Sequence, residues 1–275
     1  MNIVCDKPLL SAAIDGVSKA VTMRSSIPVL EGILLKAEGF QLTLTGYDLE
    51  MGIVTTIEAN IKEPGEIVLN AKLLSSMISR MPAGQISIVA ADNGKTTIQS
   101  GVAQFEIQSM PATDFPDLPN TGAEQTLIIK TGVLRDMIDR TLYAVSQDEK
   151  KPAHTGELFE IELDKLTIVA LDGYRLAIVE RPITAVKDIR IIVPSKTMTE
   201  VSHLLANDDE EDVHISANRR YVVFTTAGYT IMSRLIEGEF LNYRNVIPAG
   251  SRTRVTIDTK DRKSTRLNSS HITIS

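Results

Sequence analysis

The sequence predicts an α+β fold that consists of two tandem copies of one unit, and three observations support this. First, LLSAAIDGVSKAV at 9–21 recurs as VLRDMIDRTLYAV at 133–145, at an offset of 124 residues. Second, each copy contains two stretches in which apolar residues recur every three to four positions, as on one face of a helix. Third, the segments between them alternate between apolar and polar residues, as half-buried strands do. Stacked copies of one unit form an extended surface or a ring.

The apolar stripes predict two helices in each copy. They lie at about 10–21, 71–81, 133–145 and 195–205. In the first of them, Leu10, Ile14 and Val17 fall on one face. Strands are predicted before each helix and, from runs such as QLTLT at 41–45, after it. Each copy is therefore predicted to have the order β-α-β-β-β twice.

The offset of 124 residues is expected to hold along both copies. Three further pairs of segments align at this offset: 42–48 with 166–172, 66–72 with 190–196, and 105–109 with 229–233. Asp48 thus corresponds to Asp172. Recurrence at this spacing favours a shared turn, closed by an Asx-type hydrogen bond, over a single active site.

Proline-rich joints delimit the copies, and the segment 110–125 contains three prolines and a glycine. We predict a first domain at residues 1–120 and a second at residues 121–248. Residues 249–261 match the start of a third copy. Residues 262–275 are polar and lack a helical stripe, so we expect a tail that is foreign to the fold or disordered.

Composition limits the classes to which the protein can belong. No apolar run approaches the roughly 20 residues that span a bilayer, so we expect a cytoplasmic protein without membrane contact. Cys5 is the only cysteine, which excludes an internal disulfide and fits a reducing compartment. The four histidines are not spaced as zinc ligands, and neither a cofactor nor a metal is expected. The net charge of −6 does not reveal where cations cluster.

The sequence contains no catalytic constellation, and the chain is predicted not to be an enzyme. It lacks the phosphate-binding loop, the zinc-protease motif and the nucleophile elbow. The acidic run at 208–212 could bind Mg²⁺ in a metal-dependent nuclease, but a solvated loop is the preferred interpretation. That nuclease and a peptide-binding scaffold without DNA contact remain as alternatives.

Six segments carry a resemblance to a known family. They are RSSIPVLEGILL at 24–35, LTLTGYDLEM at 42–51, MPATDFPDLP at 110–119, LDGYRLAI at 171–178, IIVPSK at 191–196 and GEFLNYRNVIP at 238–248. In this order and spacing the chain resembles the bacterial DNA polymerase III β subunit, the replicative sliding clamp, from residue 1 to about 261. The resemblance implies tandem sliding-clamp domains, with helices inside a ring and antiparallel sheets outside. It also implies a non-catalytic processivity factor that encircles duplex DNA during replication.

The resemblance, together with the predicted helices, indicates two binding surfaces. Contacts to double-stranded DNA, independent of its sequence, are expected from basic residues on or near the inner helices: Arg24, Lys72, Arg80, Arg140, Lys150, Lys151 and Lys196. In the family, the replicative polymerase, the clamp loader and repair proteins insert a short peptide into a groove between the second and third domains. This chain would supply His154, Leu171, Gly173, Tyr174, Arg175, Leu176, Leu241, Asn245 and Val246. The other interpretation of LDGYRLAI at 171–178 is a plain turn between two strands.

The resemblance also bears on assembly. The family ring is a head-to-tail homodimer in which the first domain of one chain contacts the third domain of the other. Because most of a third domain is missing from this sequence, we expect a chain that cannot close the ring. We expect a monomer, with at most weak association through exposed strand edges.

Overall fold

The computed structural model describes residues 1–250, except residues 123, 163, 185–186, 206–207, 227 and 249 and the side chains of residues 124–126. Within this part of the chain the predicted α+β class and the antiparallel sheets are confirmed. Met1–Phe240 form one body, and the residues from Leu241 onward form a separate unit. The domain limits at 120 and 248 stay predictions.

The first repeat contains ten strands and two helices within the described residues. In chain order they are β1 (Asn2–Asp6), α1 (Lys7–Val17), β2 (Gly32–Glu38), β3 (Gln41–Tyr47), β4 (Met51–Glu58), β5 (Asn60–Glu63), β6 (Gly65–Asn70), α2 (Ala71–Arg80), β7 (Gln85–Ala90), β8 (Lys95–Ser100), β9 (Ala103–Gln108) and β10 (Met110–Pro111). The short strands β5 and β10 were not predicted from the alternation of apolar residues.

The second repeat has the same order of elements, without described counterparts of β5 and β10. Its elements are β11 (Glu124–Lys130), α3 (Thr131–Asp139), β12 (Gly156–Glu162), β13 (Lys165–Leu171), β14 (Leu176–Pro182), β15 (Ile189–Pro194), α4 (Ser195–Leu204), β16 (Asp212–Ala217), β17 (Tyr221–Thr226) and β18 (Tyr229–Arg234). The order β-α-β-β-β, repeated twice in each repeat, is therefore confirmed.

The four predicted helices are present, but the first helix of each repeat begins and ends earlier than predicted. Helix α1 begins at Lys7 rather than near residue 10, because Pro8 is tolerated in a first turn that needs no N–H donor. It ends at Val17, and a 3₁₀ turn continues to Ala20. The Ser18 hydroxyl donates to the Ile14 carbonyl at 2.6 Å, which helps to satisfy the end of the helix. The buried face contains Leu10, Ile14 and Val17, as predicted.

The strands form three antiparallel sheets. Their orders are β5-β1-β7-β8-β9, β10-β6-β2-β3-β4-β18-β17-β16-β11 and β14-β13-β12-β15. The nine-stranded sheet crosses from one repeat to the other, because β4 pairs with β18. Ile53 lies opposite Ile231 and Val54 opposite Thr230 in this pairing. The two repeats are thus joined by backbone hydrogen bonds.

The predicted register between the repeats is wrong in its last part. The offset of 124 residues holds from α1 to the end of α4, but β8 and β9 correspond to β17 and β18 at an offset of 126. Residues 105–109 therefore do not align with 229–233. The segment between α4 and β16, which contains the acidic run, is three residues longer than its counterpart. The turn before β17 is one residue shorter than its counterpart.

A buried carboxyl group distinguishes the core of the second repeat. Glu157 and Thr141 are both fully buried, and they occupy the positions that Ile33 and Val17 fill in the first repeat. Thr141 Oγ1 lies 2.6 Å from Glu157 Oε1 and donates to the Met137 carbonyl at 2.8 Å. Glu157 Oε2 finds no hydrogen-bond partner among the described residues. Burial raises the pKa of Glu157 to about 8, so the folded protein holds this group neutral at pH 7.

Replacing Glu157 by Gln should remove a pH-dependent loss of stability. The pKa of this carboxyl is near its ordinary value of 4.5 in the unfolded chain but about 8 in the folded chain. The wild type therefore loses stability as the pH rises from about 4.5 to about 8. At about 1.4 kcal/mol per pKa unit, the full loss is of the order of 5 kcal/mol. Urea unfolding at pH 5 and pH 9 measures it.

Glu157→Gln keeps the contact with Thr141 and should be more stable than the wild type at pH 9 by up to that amount. Near pH 4 the two proteins should be similar. Glu63→Gln is the matched control, because Glu63 is exposed and makes no ion pair among the described residues. A difference between Glu157→Gln and the wild type that does not change with pH would show that Glu157 is ionised in the fold.

A second close contact across the repeats depends on a glycine. A Cβ atom at Gly16 of α1 would lie 2.4 Å from Cε1 of Tyr229 in β18. The Tyr229 hydroxyl donates to the Ala12 carbonyl at 3.0 Å. Burial, followed by the charge of Asp15, raises the pKa of Tyr229. Gly16 thus provides the space for the Tyr229 ring to pack on α1.

Gly16→Ala should destabilise the protein, although alanine is the better helix former by about 1 kcal/mol. Overpacking against Tyr229 costs about 1–3 kcal/mol, so the net effect is a loss. In the Tyr229→Ala background the same substitution should be neutral or stabilising, because the ring is gone. Unfolding of the four proteins of this double-mutant cycle measures the coupling. Equal effects of Gly16→Ala in both backgrounds would exclude the contact.

Candidate functional site

The turn after the third strand is built in the same way in both repeats. Asp48 Oδ1 accepts hydrogen bonds from the N–H groups of Glu50 at 3.0 Å and Met51 at 2.7 Å. Asp172 Oδ1 accepts from the N–H groups of Tyr174 at 2.9 Å and Arg175 at 3.0 Å. The predicted Asx-type turn is therefore confirmed in both places. These aspartates hold the hairpins that begin β4 and β14.

The second carboxylate oxygen of each aspartate has a different partner. Asp48 Oδ2 contacts the ammonium group of Lys196, which lies in the first turn of α4 in the other repeat. Asp172 Oδ2 accepts from Nε of Arg175 in its own turn at 2.8 Å. Arg175, together with the two backbone donors, lowers the pKa of Asp172 to about 2. Lys196 is thus engaged between the repeats.

Five of the seven candidate DNA contacts make no ion pair among the described residues. They are Arg24, Lys72, Arg80, Lys150 and Lys151, all exposed. Lys72 and Arg80 lie at the two ends of α2, whose Leu74 and Ile78 are buried on the opposite side. Arg24 follows the end of the first helical region, and the other two lysines lie in the loop before β12. Their charges are available to an anionic partner.

The other two candidates are paired with carboxylates. Arg140 Nε lies 2.6 Å from Asp136 Oδ1, one turn earlier along the chain. Arg181 lies 2.7 Å from the other oxygen of Asp136. Arg140 and then Arg181 lower the pKa of Asp136. Lys196, as described above, contacts Asp48.

The candidate groove residues in the body formed by residues 1–240 lie at one end of the four-stranded sheet. Leu171 ends β13 and is buried, whereas Leu176 begins β14 and is half-buried. Because β12 and β13 are antiparallel, His154, just before β12, lies at the same end as Leu171. Between the strands, Gly173 adopts a φ of 92°, which favours glycine, and Tyr174 is fully exposed.

His154 is packed rather than free. Its ring meets the ring of Phe240 edge to face, with centroids 5.7 Å apart. Burial, followed by the charge of Lys151, lowers the pKa of His154. A neutral imidazole packed in this way presents its ring face rather than a charge at this end of the sheet. Phe240 was not among the predicted groove residues, although it lies within the segment 238–248 that carries the resemblance.

A tyrosine that the sequence analysis also missed completes this end of the repeat. The Arg175 guanidinium lies over the Tyr143 ring, 5.8 Å from its centroid. A cavity of about 650 Å³ is bounded by Tyr143, Arg175 and the first turns of α4. In the sequence, Tyr143 could be recognised as an aromatic residue on the polar side of the apolar stripe at 133–145. Asp172 and Tyr143 together orient Arg175 at the rim of this cavity.

The remaining three groove residues lie in the segment from Leu241 to Gly250. Leu241 and Val246 are about half exposed, at 45% and 55%. Asn245 belongs to a 3₁₀ turn at Tyr243–Asn245, and its N–H donates to the Asn242 carbonyl at 3.2 Å. Ile247 is exposed to a similar degree, so three apolar side chains of the described part of this segment are open to a ligand.

No helix in the described residues has the length and apolar character needed to cross a bilayer. The segments from residue 251 onward, including the predicted start of a third copy at 249–261, lie outside the described residues apart from Gly250.

Comparisons with known proteins agree on one family. The model of the DNA polymerase III beta subunit, N-terminal domain, matches residues 1–119, and the model of its central domain matches residues 128–242. The beta sliding clamp of Halalkalibacterium halodurans is 32% identical over 272 residues, which cover 94% of this chain and 71% of that protein. The beta sliding clamp of Bacillus subtilis is 30% identical, with coverage of 95% and 71%.

Solved structures give the same result. The DNA polymerase sliding clamp from Bacillus subtilis superposes with a TM-score of 0.88 at 30% identity, and covers 91% of this chain and 68% of that chain. The sliding clamp from Pseudomonas aeruginosa, solved bound to griselimycin, superposes with a TM-score of 0.86 at 31% identity, with coverage of 92% and 69%. The similarity therefore extends over both repeats in sequence and in structure.

Proposed function

The chain belongs to the family of DNA polymerase III beta subunits, the non-catalytic sliding clamps that act as processivity factors, and we propose that it holds duplex DNA through exposed cations on and beside its helices. The observation that supports this proposal is the set of five exposed basic side chains that make no ion pair within the described part of the chain. In a chain with a net charge of −6, these charges form local sites for phosphate. A clamp needs no base contacts and only moderate attraction to the backbone.

Ion pairing ranks the seven candidate DNA contacts. Arg24, Lys72, Arg80, Lys150 and Lys151 are the primary set, because a phosphate need not displace a carboxylate. Arg140 and Lys196 are secondary, since each must first weaken its contact with Asp136 or Asp48. Their loss should change DNA binding less than the loss of the primary set.

We further propose that the end of the four-stranded sheet forms part of a groove for partner peptides. Leu176 and the packed ring of His154 provide its apolar wall, and the buried Leu171 lies behind them at the end of β13. Arg175, oriented by Asp172 and Tyr143, is placed to receive a polar or anionic group of the peptide. By the resemblance alone, Leu241, Asn245 and Val246 of the separate segment stay candidate peptide contacts. The partners would be the replicative polymerase, the clamp loader and repair proteins.

The metal-dependent nuclease and the DNA-independent scaffold are not supported. In the acidic run, Asp209 pairs with Arg135 at 2.7 Å and Asp212 pairs with Lys130 at 2.9 Å. The N–H of Thr131 donates to the Glu211 carbonyl. The run thus fastens the start of α3 to the loop before β16.

For localisation and assembly, we propose a cytoplasmic protein that is monomeric in dilute solution. Light scattering of dilute protein measures this state directly.

Removing the primary cations of the helical region should weaken DNA binding. For the triple variant Arg24→Ala, Lys72→Ala and Arg80→Ala, we expect the affinity for a short labelled duplex at low salt to fall about tenfold or more. Each lost phosphate contact should lower the slope of log K against log salt by about 0.9. Fluorescence anisotropy across a salt series measures both quantities.

The matched control is Lys62→Ala, Arg219→Ala and Arg220→Ala. These three residues are also exposed and make no ion pair among the described residues, but they lie in β5 and in the turn before β17. The change of net charge is the same, so general electrostatics would affect both triple variants equally. Equal losses in the two triple variants would contradict a DNA surface on the helices.

Leu176→Ala should weaken the binding of a labelled peptide that carries the apolar motif of a clamp-binding polymerase. Loss of an apolar contact of about 1.4 kcal/mol corresponds to a tenfold change. Ile178→Ala is the matched control, because Ile178 lies two residues further along the same face of β14 and is also half-buried. Fluorescence polarisation should separate the two variants. Equal affinities would place the peptide elsewhere.

A further inference from the structure

We propose that a basic cleft beside strand β15 binds an acidic, extended segment of a partner protein. The cleft consists of two adjoining cavities, each of about 450 Å³. Arg190 and Ile191 of β15 and Arg219 of the turn before β17 line both cavities, which therefore meet at these residues. The described lining of the cleft contains none of the candidate DNA contacts and none of the candidate groove residues.

The two arginines of the cleft are placed to receive a carboxylate. Arg219 is exposed and makes no ion pair among the described residues. The turn that carries it is closed by Asn218 Oδ1, which accepts from two backbone N–H groups at 2.8 Å each. Arg190 Nε lies 3.8 Å from Oε1 of the buried Glu160. Because a guanidinium has several N–H donors, Arg190 can contact Glu160 and still bind a second carboxylate.

The first repeat has an equivalent cleft in which the charges are reversed. The counterparts of the basic residues are Glu63 for Lys187, Glu66 for Arg190, and Asp92 in the turn that corresponds to the turn of Arg219. The same fold therefore forms with acidic residues at all three places. The cations of the second repeat are not required by the fold, which leaves binding as their role.

One of the three reversals also has a structural reason. Arg190 lies opposite Glu160 across β15 and β12, and their counterparts Glu66 and Lys36 lie opposite each other across β6 and β2. The cross-strand pair is thus kept with its charges exchanged. No such exchange accounts for Arg219, which has no carboxylate partner within the described part of the chain. Arg219 is therefore the residue that carries the inference furthest.

The first repeat also shows that a cleft at this position stays open when another repeat follows. Its cleft is lined by Glu66, Asp92 and Met110, among others, and has a volume of about 450 Å³. The second repeat is joined to the first through β4 and β18 without filling this space. The basic cleft is therefore expected to be accessible whatever follows the second repeat.

The cavity on one side of Arg190 offers a place for an apolar side chain. It is lined by Ile192, Leu235 and Phe240, which are buried, and by Ile236, which is half-buried. The Ile236 N–H donates to the Ile192 carbonyl at 3.0 Å, which holds this wall against β15. Apolar walls with a few charged groups at the edge are typical of ligand sites.

The distribution of charge favours a peptide over a nucleic acid. Glu237 and Glu239 are exposed beside the apolar cavity. A nucleic acid carries a phosphate on every nucleotide, and these carboxylates would repel it. A peptide can place an acidic residue at Arg190 and Arg219 and an apolar residue near Ile236. Arginine pairs with carboxylates through two parallel hydrogen bonds, so the ligand class is an acidic peptide.

Selection from a displayed library of random short peptides on the full-length chain tests the proposal. An excess of a soluble clamp-binding peptide occupies the other groove during the selection, so the result does not depend on that groove or on DNA binding. We expect enrichment of peptides in which acidic residues stand next to apolar ones. The most enriched peptide is then labelled, and fluorescence polarisation measures its affinity for each variant.

Arg190→Gln combined with Arg219→Asp should lower this affinity about tenfold or more, because two charge-assisted contacts are lost. Arg219→Asp alone should lower it several-fold, and it leaves the contact of Arg190 with Glu160 intact should the double variant be less stable. Lys62→Gln combined with Lys95→Asp is the matched control. It changes the net charge equally, lies in β5 and β8 of the first repeat, and should leave the affinity unchanged.

Three results would overturn the proposal. The first is a selection without acidic peptides, and the second is an equal affinity of the wild type and the Arg219→Asp protein. The third is competition by a short oligothymidylate as effective as that by the unlabelled peptide, which would assign the cleft to single-stranded nucleic acid. Ile236→Ala keeps the backbone hydrogen bond to Ile192 and should weaken the peptide several-fold, which locates its apolar residue.

Discussion

The pairing of β4 with β18 is the interaction on which the arrangement of the two repeats depends. Without it, each repeat would expose a row of unpaired backbone N–H and C=O groups, which favours aggregation. The shared sheet removes both edges and places α4 beside the turn that precedes β4. Contacts of Lys196 with Asp48 and of Glu200 with Lys19 follow from this placement. The backbone pairing of β4 with β18 therefore joins the two repeats, and the side-chain ion pairs add to this joint.

The same joint explains why the cations near the helices fall into two groups. Lys196 lies where α4 meets the first repeat, and its charge serves the contact between repeats. Its counterpart Lys72 lies at the start of α2, where no carboxylate of this chain is paired with it in the described residues. Position in the repeat thus decides whether a basic residue stabilises the fold or remains available for DNA or another molecule.

Much of the fold could be predicted from the sequence, because periodicity and turn chemistry are local properties. The stripe of Leu10, Ile14 and Val17 specified a buried helix face, and Asp48 and Asp172 specified two equivalent turns. The shift from an offset of 124 to 126 was not predictable in this way. It arises from two loops of different length, and because side chains in strands alternate with a period of two, the sequences of β9 and β18 show the same alternation at both offsets.

The candidate site was harder to predict, because its residues act through partners that are distant in sequence. No local pattern indicates that Lys196 meets Asp48 or that His154 packs on Phe240. The comparison of the two repeats supplies part of the missing information. The two repeats differ at the equivalent positions 16 and 140. Gly16 leaves space for the Tyr229 ring of the other repeat, whereas Arg140 pairs with Asp136 of its own repeat. The differences between the repeats, more than their similarity, therefore identify the surfaces that give each repeat its separate role.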